Sequence, residues 1–142
     1  MRGTAVEGDL RVAVVGTRNP TPEGVARACA IASGLAERGV TVVSGLAVGI
    51  DTAAHGTALA VGGRTVAVIG TGLRRAYPAQ NVRLQQEISE RGLVLSQFWP
   101  DAPPSKSTFP MRNAVMSGHS LATVVVQAAY RSGSPHAGAS HA

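Results

Sequence analysis

The stretch Ser44–His55 reads S-G-L-A-V-G-I-D-T-A-A-H and follows the short β-branched run Thr41–Val43. The pattern predicts a strand that stops just after Ser44 and a helix that begins a few residues later. Gly45 and Gly49 carry no Cβ that would block the close approach of a ligand. Free N–H groups at the helix start, together with the positive end of its dipole, favour an anion. We therefore predict a phosphate site here and expect the phosphate to belong to a nucleic acid strand.

Apolar runs of strand length alternate with helical patterns from residue 11 onward. The predicted strands are Arg11–Val15, Thr41–Val43, Arg64–Ile69, Leu93–Leu95 and Leu121–Val126. The predicted helices run from Pro22 to just before Gly39, from Ile50 to Ala60, from Asn81 to Arg91 and from Arg112 to Ser117. Near-continuous apolar strands between helices indicate an α/β fold, a doubly wound and mainly parallel sheet with helices on both faces.

The length of 142 residues fits one domain with its own core. We assign residues 1–10 to a flexible lead-in, 11–131 to the α/β domain and 132–142 to a frayed tail. With 44% hydrophobic but only 4% aromatic residues, the core should be aliphatic. A lone cysteine cannot form an internal disulfide, and no apolar run reaches membrane-spanning length, so we expect a cytoplasmic protein without a membrane partner.

The formal charge of +5 comes almost wholly from arginine, since Lys106 is the only lysine. A basic surface favours polyanions and raises their encounter rate, but it does not identify them.

Four polar or glycine-rich segments follow the predicted strands, namely Gly16–Arg18, Ser44-Gly45, Gly70–Gly72 and Ser96. Ligands of doubly wound folds bind outside the carboxyl ends of the strands, where these segments should meet. Because Arg18 comes directly after the first strand, we expect its guanidinium to clamp a phosphate there. The loop is not a dinucleotide fingerprint, since T-R-N-P follows the first glycine.

A second candidate cluster, K-S-T-F-P-M-R-N, runs from Lys106 to Asn113 in the long proline-rich loop after the fourth strand. Phe109, between Lys106 and Arg112, suits base stacking, worth ~1–3 kcal/mol per base, next to cations for the backbone. The alternative is a phenylalanine folded back onto the core. We expect Asn113 to hold the loop through hydrogen bonds to backbone, and Phe98-Trp99 to anchor it hydrophobically.

Asp51 and His55 stand four residues apart on the helix that opens at the anion site. In a hydrolase they would form an acid–base pair. We favour a structural role, because no serine, cysteine or second carboxylate is placed to complete a triad or a metal set. The remaining histidines lack metal-ligand spacing, so the sequence predicts neither a metal nor another cofactor.

With these motifs the chain resembles the Rossmann-like core of the DNA-processing protein A family, DprA or Smf. The matching motifs are V-G-T-R at Val15–Arg18, S-G-L-A-V-G-I-D-x-x-A-H at Ser44–His55, G-G-R-T-x-A-V-I-G-x-G at Gly62–Gly72, Y-P-x-x-N at Tyr77–Asn81, F-P-x-R-N at Phe109–Asn113 and S-G-S at Ser132–Ser134. They occur in this order over roughly residues 11–134. On this resemblance, residues 11–131 are a Rossmann-like DNA-processing domain.

The resemblance implies a homodimeric protein that binds single-stranded DNA without sequence preference and loads the RecA recombinase during natural transformation. The basic composition, the strand ends suited to phosphate and the cluster of Lys106, Phe109 and Arg112 favour a non-catalytic binding protein. The positions that match the family's DNA contacts are Arg18, Lys106 and Arg112 for the basic pocket, Phe109 for the base-contacting aromatic, and Ser44 and Gly45 for backbone contacts to phosphate. Three positions depart from the family pattern, Ala114 in place of an arginine and Gln97 and Gln127 in place of glutamates.

The alternative is a nucleotide-binding sensor or an enzyme similar to nucleoside-monophosphate phosphoribohydrolases, which share a related fold. Those enzymes have a P-G-G-x-G-T-x-x-E pattern after a late strand. The corresponding stretch, Arg131–His136, contains no glutamate and so lacks a catalytic acid. The sequence therefore favours a binding protein over an enzyme.

Overall fold

The structure, a computed structural model, describes residues 2–3, 10–75, 78–105 and 108–127. The strands in this part of the chain are β1 (Arg2–Gly3), β2 (Arg11–Gly16), β3 (Thr41–Ser44), β4 (Thr65–Val68), β5 (Leu93–Leu95) and β6 (Ala122–Val126). The helices are α1 (Pro22–Glu37), α2 (Ile50–Ala60), α3 (Val82–Arg91) and α4 (Thr108–Gly118), and a 3₁₀ turn at Ala79–Asn81 precedes α3.

The six strands form one sheet in the order β1-β5-β4-β3-β2-β6. Strands β2 to β6 are parallel, and the short β1 pairs antiparallel with β5 at the edge. The chain moves outward from β2 to β5 and then returns to place β6 on the other side of β2. This confirms the predicted α/β, doubly wound and mainly parallel sheet, and it places the loops after β2, β3, β4 and β5 at one edge.

Helices cover both faces of the sheet, because successive strand residues point to opposite sides. On one face, α1 and α2 pack over a core of Val14, Ala28, Ala32, Val42, Ile50, Ala54, Ala58 and Val126. Beside it, Ile88 of α3 packs with Leu46, Leu59, Ala67, Ile69 and Val94. On the other face, Met116 of α4 covers Ala13, Val43, Val66, Val68 and Leu93. The predicted aliphatic core is confirmed, and its alanines let the helices lie close to the strands.

Local sequence signals set the start of α1 as predicted. The Oγ1 of Thr21 accepts a hydrogen bond of 3.1 Å from the Gly24 N–H, and Pro22 occupies the first turn. A proline there loses nothing, since the first N–H groups of a helix have no partner within it.

Helix α4 begins earlier than the predicted Arg112. Ser105 and Thr108 exchange bonds in the manner of a capping box: each side-chain oxygen accepts from the other's backbone N–H. Pro110 lies in the first turn of this helix, where proline is tolerated. The prediction interpreted Pro110 as a loop residue and was wrong, because the S-x-x-T signal that starts the helix was overlooked.

The two predicted terminal segments are largely outside the described residues. Within the predicted lead-in 1–10, Arg2–Gly3 forms β1 and the exposed Leu10 precedes β2. The predicted tail 132–142 lies wholly outside the described part. None of the described helices has the length and apolar character that a membrane span requires.

Candidate functional site

A pocket of about 330 Å³ opens at the carboxyl edge of the sheet. Its walls come from the loops after β2, β3 and β4 and from the segment before α3, namely Arg18, Gly45, Ala47, Val48, Gly70, Pro78, Ala79 and Gln80. Three of the four predicted strand ends therefore contribute a residue to one cavity. The fourth, Ser96, lies against the β4 loop, where its Oγ donates to the Thr71 carbonyl at 2.6 Å.

Arg18 is exposed in the wall of this pocket, and the loop that carries it is firmly held. The Thr17 N–H donates to the Gln127 carbonyl at 3.1 Å, and the Thr17 carbonyl accepts from Ile50 at 3.2 Å. A Cβ on Gly49 would lie 2.5 Å from the Thr17 carbonyl oxygen, so only glycine lets α2 start this close to the loop. The backbone beneath the Arg18 guanidinium is thus fixed in place.

Gln127, one of the departures from the family pattern, holds the N-cap residue Thr21 at the start of helix α1. Its Oε1 accepts from the Thr21 N–H at 2.9 Å and from the Thr21 Oγ1 at 3.1 Å. The contact needs an acceptor oxygen, which an amide supplies as well as a carboxylate does.

The anion that occupies the β3–α2 loop is a carboxylate of the protein itself. The Gly45 N–H donates to Asp51 Oδ2 at 3.0 Å, and Ser44 Oγ donates to the Val14 carbonyl at 2.6 Å. The prediction that the Gly45 N–H is free for a phosphate is wrong, because the buried Asp51 carboxylate accepts its hydrogen bond. Ser44 and Gly45 shape the floor of the pocket through these internal bonds.

Arg112 lies beneath the pocket rather than in its open wall, with only 6% of its surface exposed. Its Nη1 donates to the Gly45 carbonyl at 2.6 Å and to the Val68 carbonyl at 3.2 Å, so it ties the ends of β3 and β4 together. Its Nε donates to Asn113 Oδ1 at 2.7 Å. The predicted bond from Asn113 to the backbone is replaced by this contact. The Arg112 guanidinium fits because Gly45 has no side chain: a Cβ there would lie 2.1 Å from Nη1.

Burial perturbs both members of this charged pair. It raises the pKa of the Asp51 carboxyl, and the nearby Arg112 guanidinium and the Gly45 N–H oppose the rise. Burial lowers the pKa of Arg112, Asp51 opposes the decrease, and the positive charge of Arg18 adds to it. Arg18 and Arg112 are therefore close enough to interact, and Asp51 is the carboxylate that acts on Arg112.

His55 is fully buried and neutral. Thr65 Oγ1 donates to the Val42 carbonyl at 2.8 Å, so it accepts from His55 Nδ1 at 2.6 Å. The other ring nitrogen, Nε2, then accepts from the Leu46 N–H at 3.2 Å. Burial, with a smaller contribution from Arg112, lowers the pKa of His55 to about 3. The predicted structural role of His55 is confirmed, since one ring nitrogen bonds Leu46 in the β3–α2 loop and the other bonds Thr65 at the start of β4.

Asn81 has a role at this site that was not predicted from the sequence. Its Nδ2 donates to the Leu46 carbonyl and to Thr52 Oγ1, both at 2.9 Å, and so holds the segment Pro78–Gln80 against the pocket. The Y-P-x-x-N motif marked this asparagine, but its partners Leu46 and Thr52 lie 35 and 29 positions away along the chain, so no local pattern indicated them.

Several predicted positions cannot be placed. Lys106, Tyr77 and Ser132–Ser134 lie outside the described residues, as does the side chain of Phe109, whose backbone lies in the first turn of α4. Asn113 is exposed on α4 next to Arg112. In the described part of the chain, no group of three or more His, Cys, Asp or Glu side chains could hold a metal ion.

Known proteins resemble the chain over most of its length. It is 48% identical over 124 residues to the DNA processing protein DprA of Streptococcus pneumoniae, which covers 87% of this chain and 44% of that protein. It is 45% identical over 122 residues to Protein Smf of Synechocystis sp., which covers 86% of this chain and 31% of that protein. The chain therefore spans less than half of either relative.

Solved structures agree with the sequence relatives. The X-ray structure of the S. pneumoniae DNA processing protein A superimposes with a TM-score of 0.84 at 44% identity, over 94% of this chain and 47% of that one. The DNA processing protein A of Helicobacter pylori, whose single-stranded DNA binding mode has been described, gives 0.80 at 37% identity, over 88% and 57%. The profile of one family, DNA recombination-mediator protein A, matches residues 2–142. The chain belongs to the DNA recombination-mediator protein A family.

Proposed function

We propose that the chain binds single-stranded DNA without sequence preference, in the pocket at the carboxyl edge of the sheet. The observation that carries this proposal is the exposed Arg18 guanidinium in the pocket wall, next to a second cation, Arg112, on the floor. A phosphate that enters the pocket meets the Arg18 guanidinium, and a guanidinium can bind it with two hydrogen bonds.

Contacts to phosphate position a strand but carry no base sequence, so such a site binds any single strand. The central contact of the proposal is between Arg18 and phosphate. Arg112 adds a buried positive charge beneath the pocket, Gly45 makes room for it, and Ser44 and Asn113 hold this floor in place through hydrogen bonds. Lys106 and Phe109 remain predicted contacts, which we propose as a further cation and a stacking platform at the start of α4.

We propose that the chain is not an enzyme. Among the described residues, the acid–base candidates near the site are Asp51 and His55, and both are buried and engaged in internal hydrogen bonds. A general base must reach the proton that it abstracts, and neither side chain reaches the pocket.

From the family we extend the proposal to the cellular level. We propose that the chain works in the cytoplasm in DNA processing during natural transformation, as a homodimer that delivers single-stranded DNA to the RecA recombinase. Because the chain spans less than half of its sequence relatives, these interactions are tested separately from DNA binding.

Fluorescence anisotropy with labelled oligo-dT tests DNA binding directly. We expect affinity to fall with salt, with a slope of ~0.7 per neutralised phosphate. Arg18→Ala should weaken binding roughly tenfold or more, as expected for a lost charged hydrogen bond. Arg38→Ala is the matched control, since it removes an equal charge from an exposed residue at the opposite edge, after α1. Binding that ignores salt, or equal losses in both variants, would contradict the proposal.

A second candidate is a sensor or hydrolase for a single nucleotide. The observation that favours it is the size of the pocket, about 330 Å³, which lies at the small end of the range for small-molecule sites. Incubation with nucleoside monophosphates, followed by chromatography for released base, separates the two. We expect no release of base. Steady release would identify the chain as a hydrolase and overturn the proposal of DNA binding.

A further inference from the structure

Trp99 is the most exposed large hydrophobic side chain in the described part of the chain, with 85% of its surface open to solvent. It is also the single tryptophan of the sequence. The prediction that it anchors the long loop is wrong. Burying an indole would stabilise the fold, so a tryptophan left almost fully exposed forgoes that gain.

The loop that presents Trp99 is well ordered by its contacts. The Ala102 N–H donates to the Trp99 carbonyl at 2.8 Å, which closes a β-turn with Pro100 in its second position. Two bonds attach this turn to the loop after β4: the Gly72 N–H donates to the Ala102 carbonyl at 2.9 Å, and the Arg74 N–H donates to the Pro100 carbonyl at 2.8 Å.

Gly72 lets the two loops approach, since a Cβ there would lie 1.9 Å from the Trp99 carbonyl oxygen. The hydrogen-bonded turn therefore holds the Trp99 backbone in place, with the indole exposed on it.

Two arginines accompany the indole. Arg74 and Arg75 are exposed, and the Arg75 Nε donates to the Asp101 carbonyl at 2.7 Å, which brings this guanidinium to the same turn. Arg74 pairs with the Asp101 carboxylate at 3.2 Å. Two guanidinium groups thus accompany one carboxylate, and this exposed ion pair is worth little in water. A phosphate can compete for either guanidinium.

This patch, which we call the Trp99 surface (Trp99, Arg74 and Arg75), lies on the same edge of the sheet as the pocket. Both use the loop after β4: Gly70 lines the pocket and Gly72 contacts the Trp99 turn. The turn belongs to the loop after β5, the next strand along the sheet. Neighbouring strands are about 4.8 Å apart, so a strand of nucleic acid that leaves the pocket along the edge meets the Trp99 surface next.

We propose that the Trp99 surface is a second contact for the same single-stranded DNA, in which the indole stacks on a base and the two arginines neutralise the adjoining backbone. An exposed aromatic flanked by arginines is suited to this, because every base has a face on which to stack. The proposal rests on the proposed function of the pocket and extends it: the binding track runs from Arg18 across the β4 loop to Trp99.

The single tryptophan makes the test direct. The 142-residue chain is titrated with labelled (dT)₁₂ and with (dT)₃, and both anisotropy and tryptophan fluorescence are followed. We expect (dT)₁₂ to quench Trp99 at the concentrations at which anisotropy rises.

Trp99→Leu, which keeps an apolar side chain without a ring, should weaken (dT)₁₂ roughly fivefold or more, while Trp99→Phe should stay within about twofold of the parent. The loss should shrink with (dT)₃, because a shorter strand makes fewer contacts along the edge of the sheet. Circular dichroism of each variant checks that it folds like the parent.

The outcomes separate this proposal from the function of the pocket. If (dT)₁₂ binds in an Arg18-dependent way while Trp99 fluorescence and the Trp99→Leu affinity do not change, the Trp99 surface is no DNA contact and the pocket stands. If (dT)₁₂ does not bind at all, both proposals fall. If Trp99 fluorescence changes with protein concentration without DNA, and Trp99→Leu abolishes self-association, the surface serves a second copy of the chain and the DNA contact is overturned.

Discussion

Arg18 and Arg112 are the same residue type, and the sequence assigned both to one basic pocket, yet the fold uses them in opposite ways. Arg18 is exposed in the wall, whereas Arg112 is buried and spends its N–H groups on two carbonyls and on Asn113. An exposed guanidinium can exchange water for phosphate at little cost. A buried one holds the structure together, because its removal leaves two carbonyls without this donor and a buried carboxylate without its nearby cation.

The comparison predicts its largest effect for Arg112→Ala. This variant leaves Asp51 buried without its nearby cation and the Gly45 and Val68 carbonyls without their donor. We expect the free energy of unfolding to fall by ~3–5 kcal/mol, as when one partner of a buried charged pair is removed. Denaturant unfolding followed by circular dichroism measures it. Arg18→Ala is the control and should change the free energy of unfolding by less than about 1 kcal/mol. Similar losses in the two variants would contradict the different roles of Arg18 and Arg112.

The buried network should also make stability depend on pH. The pKa of His55 falls from its ordinary 6.5 to about 3 on folding, so between these values the unfolded chain binds more protons. The contribution of His55 to the free energy of unfolding is therefore fully present above pH 6.5. It is lost as the pH falls toward 3, with a slope of up to ~1.4 kcal/mol per pH unit. The raised pKa of Asp51 acts in the opposite direction above pH 3.8 and reduces this slope.

Unfolding free energies between pH 7 and 4 check the histidine term. His55→Gln should flatten the curve, whatever its stability at pH 7. His119→Gln, at an exposed histidine after α4, is the control for the loss of a histidine as such. A His55→Gln curve with the same slope as the parent would show that His55 is not buried in the neutral form.

A smaller effect is expected from the glycine that makes room for Arg112. Gly45→Ala places a Cβ against the guanidinium and Asp51, and overpacking of this kind costs about 1–3 kcal/mol. Gly56→Ala is the matched control, because a Cβ at this position of α2 meets nothing within 4 Å. It should stabilise the helix by about 0.5–1 kcal/mol. Thermal unfolding should show that Gly45→Ala lowers the stability and Gly56→Ala raises it. An unchanged stability of Gly45→Ala would mean that the Arg112 side chain can move aside.

Patterns within a few residues predicted the elements well. Leu93–Leu95 is a strand with the predicted bounds, and the Thr21 cap starts α1 as expected. The start of α4 also has a local signal, the pair Ser105 and Thr108. It was not predicted because the prolines of the loop indicated irregular structure. The pairing of Arg2–Gly3 with β5 is different, since nothing near residue 2 indicates a partner some ninety positions away.

The candidate site was predictable in position but not in chemistry. Arg18, Gly45 and Gly70 share one pocket because parallel strands end at one edge, which follows from the strand order alone. That the Gly45 N–H is taken by Asp51, or that Trp99 points into solvent, depends on loops that pack against each other across the fold. Residue type suggested a free Gly45 N–H and a buried anchor at Trp99, and packing gave the opposite result for these two groups.

By itself the sequence determined the alternation of strands and helices, the cap of α1 and the edge where a ligand would bind, because periodicity and capping act between near neighbours. Only the tertiary structure decided which cations are exposed. Arg112 lies 67 positions from Gly45 along the chain, and its burial exists only once α4 lies over the ends of β3 and β4. A charge leaves water only where the fold has already assembled its partners, and that assembly is a property of the whole chain.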